Sequence, residues 1–246
     1  AFAATQLRAL LTVGEGRTHF DELIVNLADG RLLGTLDVNA AGNWVFDGKI
    51  DGVSVDKLMT GLGAAPLVSG VASGTLALAG NRLESAALEA SASLSVLRGA
   101  LWGVDLESAR RVVLKTSQPA DITRQGAQSS FDEASAQISL KDQKLTIAGI
   151  NARSVYVRTT GDVRADLEKG EVAGSLTSTF APLHGEPSIY LASQVAGSSL
   201  APTWIFDFDR AAKALQRAQG GSLFKTPRAA GKDAAPEKSE PRSIWQ

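Results

Sequence analysis

The sequence predicts a mainly β protein with a few short helices (β-rich α+β). It reads as an antiparallel meander of hairpins, with an internal echo pointing to a repeated unit. Three observations carry this. Apolar and polar residues alternate with period two over most of the chain, the mark of strands with one covered and one wet face. Glycine- and aspartate-bearing turns, rather than long linkers, separate the alternating runs. Helix-like runs are few and short, each opening on Ser, Asn or Asp. Residues 91–106 hold all three signals in one module. Ala92, Leu94 and Val96 oppose Ser91, Ser93 and Ser95; Arg98-Gly99 reads as a turn; residues 100–102 return as a short strand; and Asp105 caps a helix.

In chain order, residues 1–13 alternate through Leu7, Ala9, Leu11 and Val13, and Gly14-Glu15-Gly16 turns the chain. Residues 20–27 form a second strand carrying Leu23, Val25 and Leu27. Asp29-Gly30 is a hairpin signal leading into residues 31–39. Gly42-Asn43 turns into residues 44–50, where Trp44, Phe46 and Ile50 share a face, and Ser54 caps a short helix over 55–60. A connector at 64–68 leads to a small-residue strand over 69–80. Asn81 then caps a helix over 82–90, whose apolar side is Leu83, Ala86, Ala87 and Leu88.

After the central module come a helix over 104–115, a polar loop over 116–130, and strands over 134–140, 144–151, 154–160, 162–168, 171–180 and 188–195. The sheet is expected to end at 197–202. A helix capped by Asp207 or Asp209 runs to about 218, halted by Gly220-Gly221; beyond it the Lys-, Glu-, Pro- and Ala-rich tail 221–246 reads as disordered. The echo pairs Phe20-Asp21-Glu22, Leu27 and Asp29-Gly30-Arg31-Leu32 with Phe131-Asp132-Glu133, Leu140 and Asp142-Gln143-Lys144-Leu145.

Composition narrows function. The 246 residues are 44% hydrophobic, enough for a real core, and the net charge of −1 offers no electrostatic footprint for nucleic acid. With no cysteine, disulfides and Cys-ligated metal sites are excluded. No window reaches the roughly 20 apolar residues of a spanning helix. The first residues enter mid-pattern, so the chain reads as a fragment whose natural N-terminus, with any membrane anchor, is absent.

Chemistry-bearing patterns are scarce. His19 and His184 each sit in a polar turn with no second histidine at ligand spacing, so no metal site is expected. No Gly-x-Ser-x-Gly elbow joins a strand to a helix. Gly61-Leu62-Gly63 follows a helix, with Pro66 where a dinucleotide loop needs glycine, and reads as a helix stop. Asp47, Asp51 and Asp56 fall at turn and cap positions. No catalytic residue, cofactor or enzymatic activity is expected.

About ten strands each present an aliphatic face, and the helices are too small to cover them all. Two solutions stay open: a sheet closed on itself, or one curled into a trough or taco-like form that remains partly open. An open trough could hold lipid without any motif, because acyl burial is favourable by about 0.8 kcal/mol per CH₂.

Further residues resemble a known family. Val68-Ser69-Gly70-Val71-Ala72-Ser73-Gly74-Thr75-Leu76 leads to the cap at Asn81. A strand then ends in Leu97-Arg98-Gly99-Ala100-Leu101-Trp102-Gly103-Val104-Asp105-Leu106. Later come Phe131, the Lys141-Asp142 turn, Gly161-Asp162-Val163 and Gly197-Ser198-Ser199-Leu200-Ala201-Pro202. Their order and spacing resemble the C-terminal region of the AsmA-like family of Gram-negative envelope proteins, over 67–202 with a weaker preceding unit over 1–63. Arg98 departs from the family's usual aspartate.

The resemblance and the composition together divide the chain into an N-terminal β-unit over 1–65, a C-terminal β domain over 66–205, a helix over 206–220 and the tail 221–246. It implies a periplasmic, inner-membrane-anchored, non-enzymatic role in outer-membrane biogenesis, holding or conducting phospholipid along a β-groove. With it, the open trough becomes the favoured form. The expected groove residues are Leu76, Leu78, Leu94, Val96, Ile138, Leu140, Leu145, Ile147, Val163 and Leu167. The expected partners are phospholipid or another lipid, a membrane through an anchor, and envelope proteins, with no nucleic acid. The alternative is a structural or interaction module with a closed core and no lipid.

Overall fold

The computed structural model describes residues 6–61, 66–82, 84–182 and 187–223. Twelve strands form one sheet in unbroken sequence order, each antiparallel to the next. They are β1 (Gln6–Gly14), β2 (Arg17–Leu27), β3 (Gly30–Asn39), β4 (Asn43–Ser54), β5 (Val68–Asn81), β6 (Glu84–Trp102), β7 (Gln128–Lys141), β8 (Lys144–Arg153), β9 (Val157–Asp166), β10 (Glu171–Phe180), β11 (Ile189–Ser198) and β12 (Ala201–Phe206). The sheet does not close, since β1 and β12 are opposite edges. Ten register pairs join β4 to β5, so the sheet runs without interruption across the expected 65/66 boundary.

A sheet this wide must bend, and the bends have a regular origin. β2, β4, β6 and β8 share a bulge with a residue at positive φ, at Glu22 (51°), Gly52 (70°), Arg98 (50°) and Gly149 (62°), and β6 has a second register shift between Glu84 and Glu89. A bulge adds a residue on one strand and increases local twist. Placed on alternate strands, which run the same way, the four bulges curl the sheet in one sense. The internal repeat is partial. Both echo segments are two-residue hairpins, with Ala28-Asp29 and Asp142-Gln143 at positive φ, but the first bulges on its leading strand and the second on its returning strand.

Several expectations are corrected. Residues 84–90 are strand, not helix. Glu84, Glu89 and Ala90 pair with Asn81, Ala79 and Leu78 of β5, with a register shift between Glu84 and Glu89, and a short isolated helix is marginal against that extended pairing. Arg98-Gly99 is the β6 bulge, not a turn, so 91–102 is one strand; a Cβ on Gly99 would lie 2.3 Å from Phe131 Cζ. The strands expected at 154–160 and 162–168 are the single β9. The β2–β3 turn is Ala28-Asp29, one residue earlier than expected. The sheet does not stop at Pro202; β12 adds an edge strand, where a residue without an N–H is tolerated. The Ser54 hydroxyl donates to the Asp56 carboxylate at 2.8 Å. The tail from 224 onward lies outside the described residues.

Among the described residues three α-helices accompany the sheet: α1 (Val55–Gly61), α2 (Leu106–Val113) and α3 (Phe208–Leu223), the last running through Gly220-Gly221. Asp105 caps α2 as expected, accepting from Ser108 N at 3.0 Å and Ser108 Oγ at 2.7 Å. Ser129 fixes its entry, accepting from Leu106 N at 2.9 Å and donating to Val104 O at 2.8 Å. The closed core is small and lies at one end. Val104, Leu106, Ala109, Val113 and Ile122 meet Phe180, Ile189, Leu191, Ala211 and Leu215, joining α2 and α3 to β10 and β11. Trp204, Phe206 and Phe208 stack along its margin, with ring centroids 6.2 and 5.5 Å apart.

Candidate functional site: the uncovered apolar face

Directly paired residues of an antiparallel sheet point to the same side, so the registers define the faces. Leu76 pairs Ala92, Ala92 pairs Ile138, Ile138 pairs Ile147 and Ile147 pairs Val163. One row along, Leu78, Ala90, Leu140, Leu145 and Ala165 do the same. Leu94 and Val96 complete the set opposite Ala136 and Ala134. Nine of the ten expected groove residues therefore share one continuous face. The tenth, Leu167, does not: it lies past the end of β9, in the turn to β10, and is exposed.

The face extends further than expected. Leu36 pairs Phe46 and Phe46 pairs Leu78, while Val25 pairs Leu32 and Leu32 pairs Ile50. At the edge, Leu7 and Leu11 pair Val25 and Phe20. The alternation of Phe20–Leu27 and of Trp44, Phe46 and Ile50 carried this signal. The 65/66 boundary taken from the resemblance hid it. At about 4.8 Å per strand, the face from β1 to β9 spans on the order of 40 Å.

Two features make this surface smooth and concave. Glycines let large side chains lie flat: a Cβ on Gly48 would sit 2.5 Å from Phe46 Cζ, and one on Gly80 2.7 Å from Trp44 Cζ2. Phe46 and Leu23 are buried although, among the described residues, no helix packs over the middle of β2–β4. Side chains on a flat single layer would stay open to water, so the sheet curls toward its apolar side. The opposite side is mainly polar: Lys49, Thr75, Ser93 and Gln137 follow one another in register there, as do Thr35 with Asp47 and Ser91 with Ser139, with Leu33, Val45 and Leu97 interspersed.

Among the helices, α2 and α3 cover the face at β10–β12, and α1 sits at one end of β4 and β5. Across β6–β9 the large residues of the face remain half-buried and only the small Ala92 in its middle is buried, with no second layer among the described residues beyond the reach of α2. The result is a trough capped at its C-terminal end. Near that end, Leu145, Ala165 and Val172 border a cleft whose rim carries Lys144, Arg164 and Lys169 beside Asp166 and Glu171. The Lys169 backbone N–H donates to Asp166, holding that carboxyl below its usual range.

The polar chemistry found is structural. His19 lies between two carboxylates, Nδ1 2.7 Å from Asp37 Oδ1 and Nε2 2.8 Å from Asp21 Oδ1. The Asp37 bond and then the Asp21 bond raise its pKa above the ordinary value. With both ring nitrogens occupied, it clasps β2 to β3. Asp51 binds Arg31 at 2.5 Å, and Asp29 binds Lys57. Among the described residues no group of three or more metal-ligating side chains converges, and no helix is long and apolar enough to cross a membrane. His184 lies outside the described residues. No protein-family model, curated protein or solved structure matches the chain.

Proposed function

We propose that this chain is a non-enzymatic, AsmA-like envelope module that holds phospholipid acyl chains on its apolar face and so supports outer-membrane biogenesis. The observation that carries the reading is the aliphatic face in register from β1 to β9, left half-buried and without a second layer over most of its area. Soluble proteins rarely leave so large a contiguous apolar surface in water without a partner for it. An acyl chain is such a partner. It needs no hydrogen bond, and each buried CH₂ contributes about 0.8 kcal/mol at most, less where one side of the chain still faces water. The smoothness conferred by Gly34, Gly48, Gly80 and Gly99 suits a ligand that must slide rather than lock. Periplasmic residence with an anchor to the inner membrane belongs to the same proposal and rests on the family resemblance.

The test is native mass spectrometry of the purified chain. Phospholipid masses should accompany the protein, and Ile138→Asp, which sets a charge in mid-trough, should strip them while far-UV circular dichroism stays unchanged. A clean lipid-free mass, together with no uptake of a fluorescent acyl probe from vesicles, refutes lipid binding. Capture of an envelope protein without lipid would favour the interaction module instead.

A further inference from the structure

The apolar face does not stop where helices cover it. Ile147 pairs Val163, Val163 pairs Gly174, Gly174 pairs Val195 and Val195 pairs Trp204, so one row runs from the trough across β10 and β11 to β12. Gly161, Leu176, Ser193 and Phe206 continue a second row the same way. What changes along the rows is burial: Val163 is half-buried, whereas Leu176 and Val195 are buried. The two helices hold this end unequally. In α2, five of eight residues are buried, its Asp105 cap and Ser129 fix its entry, and it packs on β7. In α3, which packs on β11, only Ala211 and Leu215 are buried among the described side chains of 208–218. Its Asp209, Arg210, Lys213 and Arg217 are exposed and form no ion pair among the described residues. Its first turn is the firm point: Asp207 N donates to Ala192 O at 3.0 Å, Asp207 Oδ1 accepts from Arg210 N at 3.0 Å, and Phe208 stacks on Phe206.

We propose that α3 is a displaceable lid, pivoting at Asp207, and that the floor of β10–β12 beneath it is a second segment of the acyl-binding trough. This deepens the lipid reading and rests on it. Three strands at about 4.8 Å each add ~14 Å of floor, in register with the open part. The occupant follows from what it replaces. The closed lid buries one leucine and one alanine on this floor, and acyl methylenes laid there bury aliphatic surface of the same kind without needing a hydrogen bond. A ligand moves a lid only by binding one state better than the other. Acyl chains do so here, because the floor they occupy is the floor that α3 covers. α2, held by its own cap and by Ser129, stays in place as the end wall.

The experiment joins hydrogen exchange to fluorescence on the full chain, with phosphatidylglycerol carrying brominated acyl chains, which quench indoles that they touch. Trp44 stands on the trough face of β4 and Trp204 on that of β12, so the two report the two segments. Each contribution is read as the quenching lost in Trp44→Phe or Trp204→Phe. Without lipid, α3 amides should exchange about tenfold or more faster than α2 amides. Lipid should quench both tryptophans and speed α3 exchange further, leaving α2 unchanged. Leu215→Ala, which removes the larger of the two buried anchors, should raise quenching at Trp204 and not at Trp44. The exposed Lys213→Ala should alter neither. Quenching at Trp44 with none at Trp204, in wild type and Leu215→Ala alike, overturns the second segment and leaves the lipid reading standing. Quenching at neither tryptophan overturns both. Quenching at Trp204 while α3 exchange stays unmoved, or α3 exchange as slow as that of α2, overturns the lid.

Discussion

A single-layer trough and a closed core respond differently to the same cavity, and one pair of substitutions separates them. Leu191 is fully buried in the core beneath α2 and α3, whereas Ile138 is half-buried in mid-trough. Truncating either to alanine removes three carbons, worth about 2.4 kcal/mol at about 0.8 kcal/mol per buried carbon. At Leu191 the neighbours cannot relax fully, so a cavity cost adds and the loss should reach about 3–4 kcal/mol. At Ile138 roughly half the transfer term applies and water fills the space, so the loss should be about 1 kcal/mol. The assay is urea unfolding of lipid-free protein, read by tryptophan fluorescence and comparing midpoints at equal slope. Equal losses at the two positions would mean that Ile138 is sealed in solution, and the open-trough reasoning would fail. Phospholipid should then stabilise wild type and Leu191→Ala alike, by about 2.7 kcal/mol at a hundredfold excess over Kd, and stabilise Ile138→Asp far less.

Other expectations follow from single contacts. Gly48→Ala would bring a Cβ to 2.2 Å from Leu33 O and 2.5 Å from Phe46 Cζ, and should cost about 2–3 kcal/mol in the same unfolding assay. Arg98→Gly should stabilise by about 0.5–1 kcal/mol, because a side chain at φ 50° carries a steric cost that glycine avoids. Asp105→Ala removes the α2 cap and should cost about 1 kcal/mol, with faster hydrogen exchange in α2 than in β6. His19 is raised above its ordinary 6.5 by Asp37 and Asp21, so its contribution is fully present below pH 6.5 and is lost as pH rises through the raised folded value. Stability profiles of wild type and His19→Gln should therefore diverge on the acid side and converge on the alkaline side; parallel profiles would show that the clasp adds nothing.

The period-two alternation by itself determined that this chain is a meander of strands with one aliphatic and one polar face. Nine of ten groove positions followed from it, because in a strand the side is set locally by parity. Asp105 was legible for the same reason: a cap acts within one turn of its own helix. Where alternation and helical spacing coincided, at Ala86-Ala87-Leu88, local pattern could not decide, and the pairing of the flanking Glu84 and Glu89 with β5 did. The Arg98-Gly99 bulge resembled a turn because both need positive φ; only two neighbouring strands running past it make it a bulge. Leu167 fits the alternation but lies beyond the last ladder pair. Whether the sheet would close was a tertiary decision. Closure needs β1 to meet β12, and the bulges of β2, β4, β6 and β8 curl the sheet without bringing those edges together, while α2 and α3 occupy the far end. Curvature accumulates over twelve strands from small local bends, and no one stretch of sequence contains that sum.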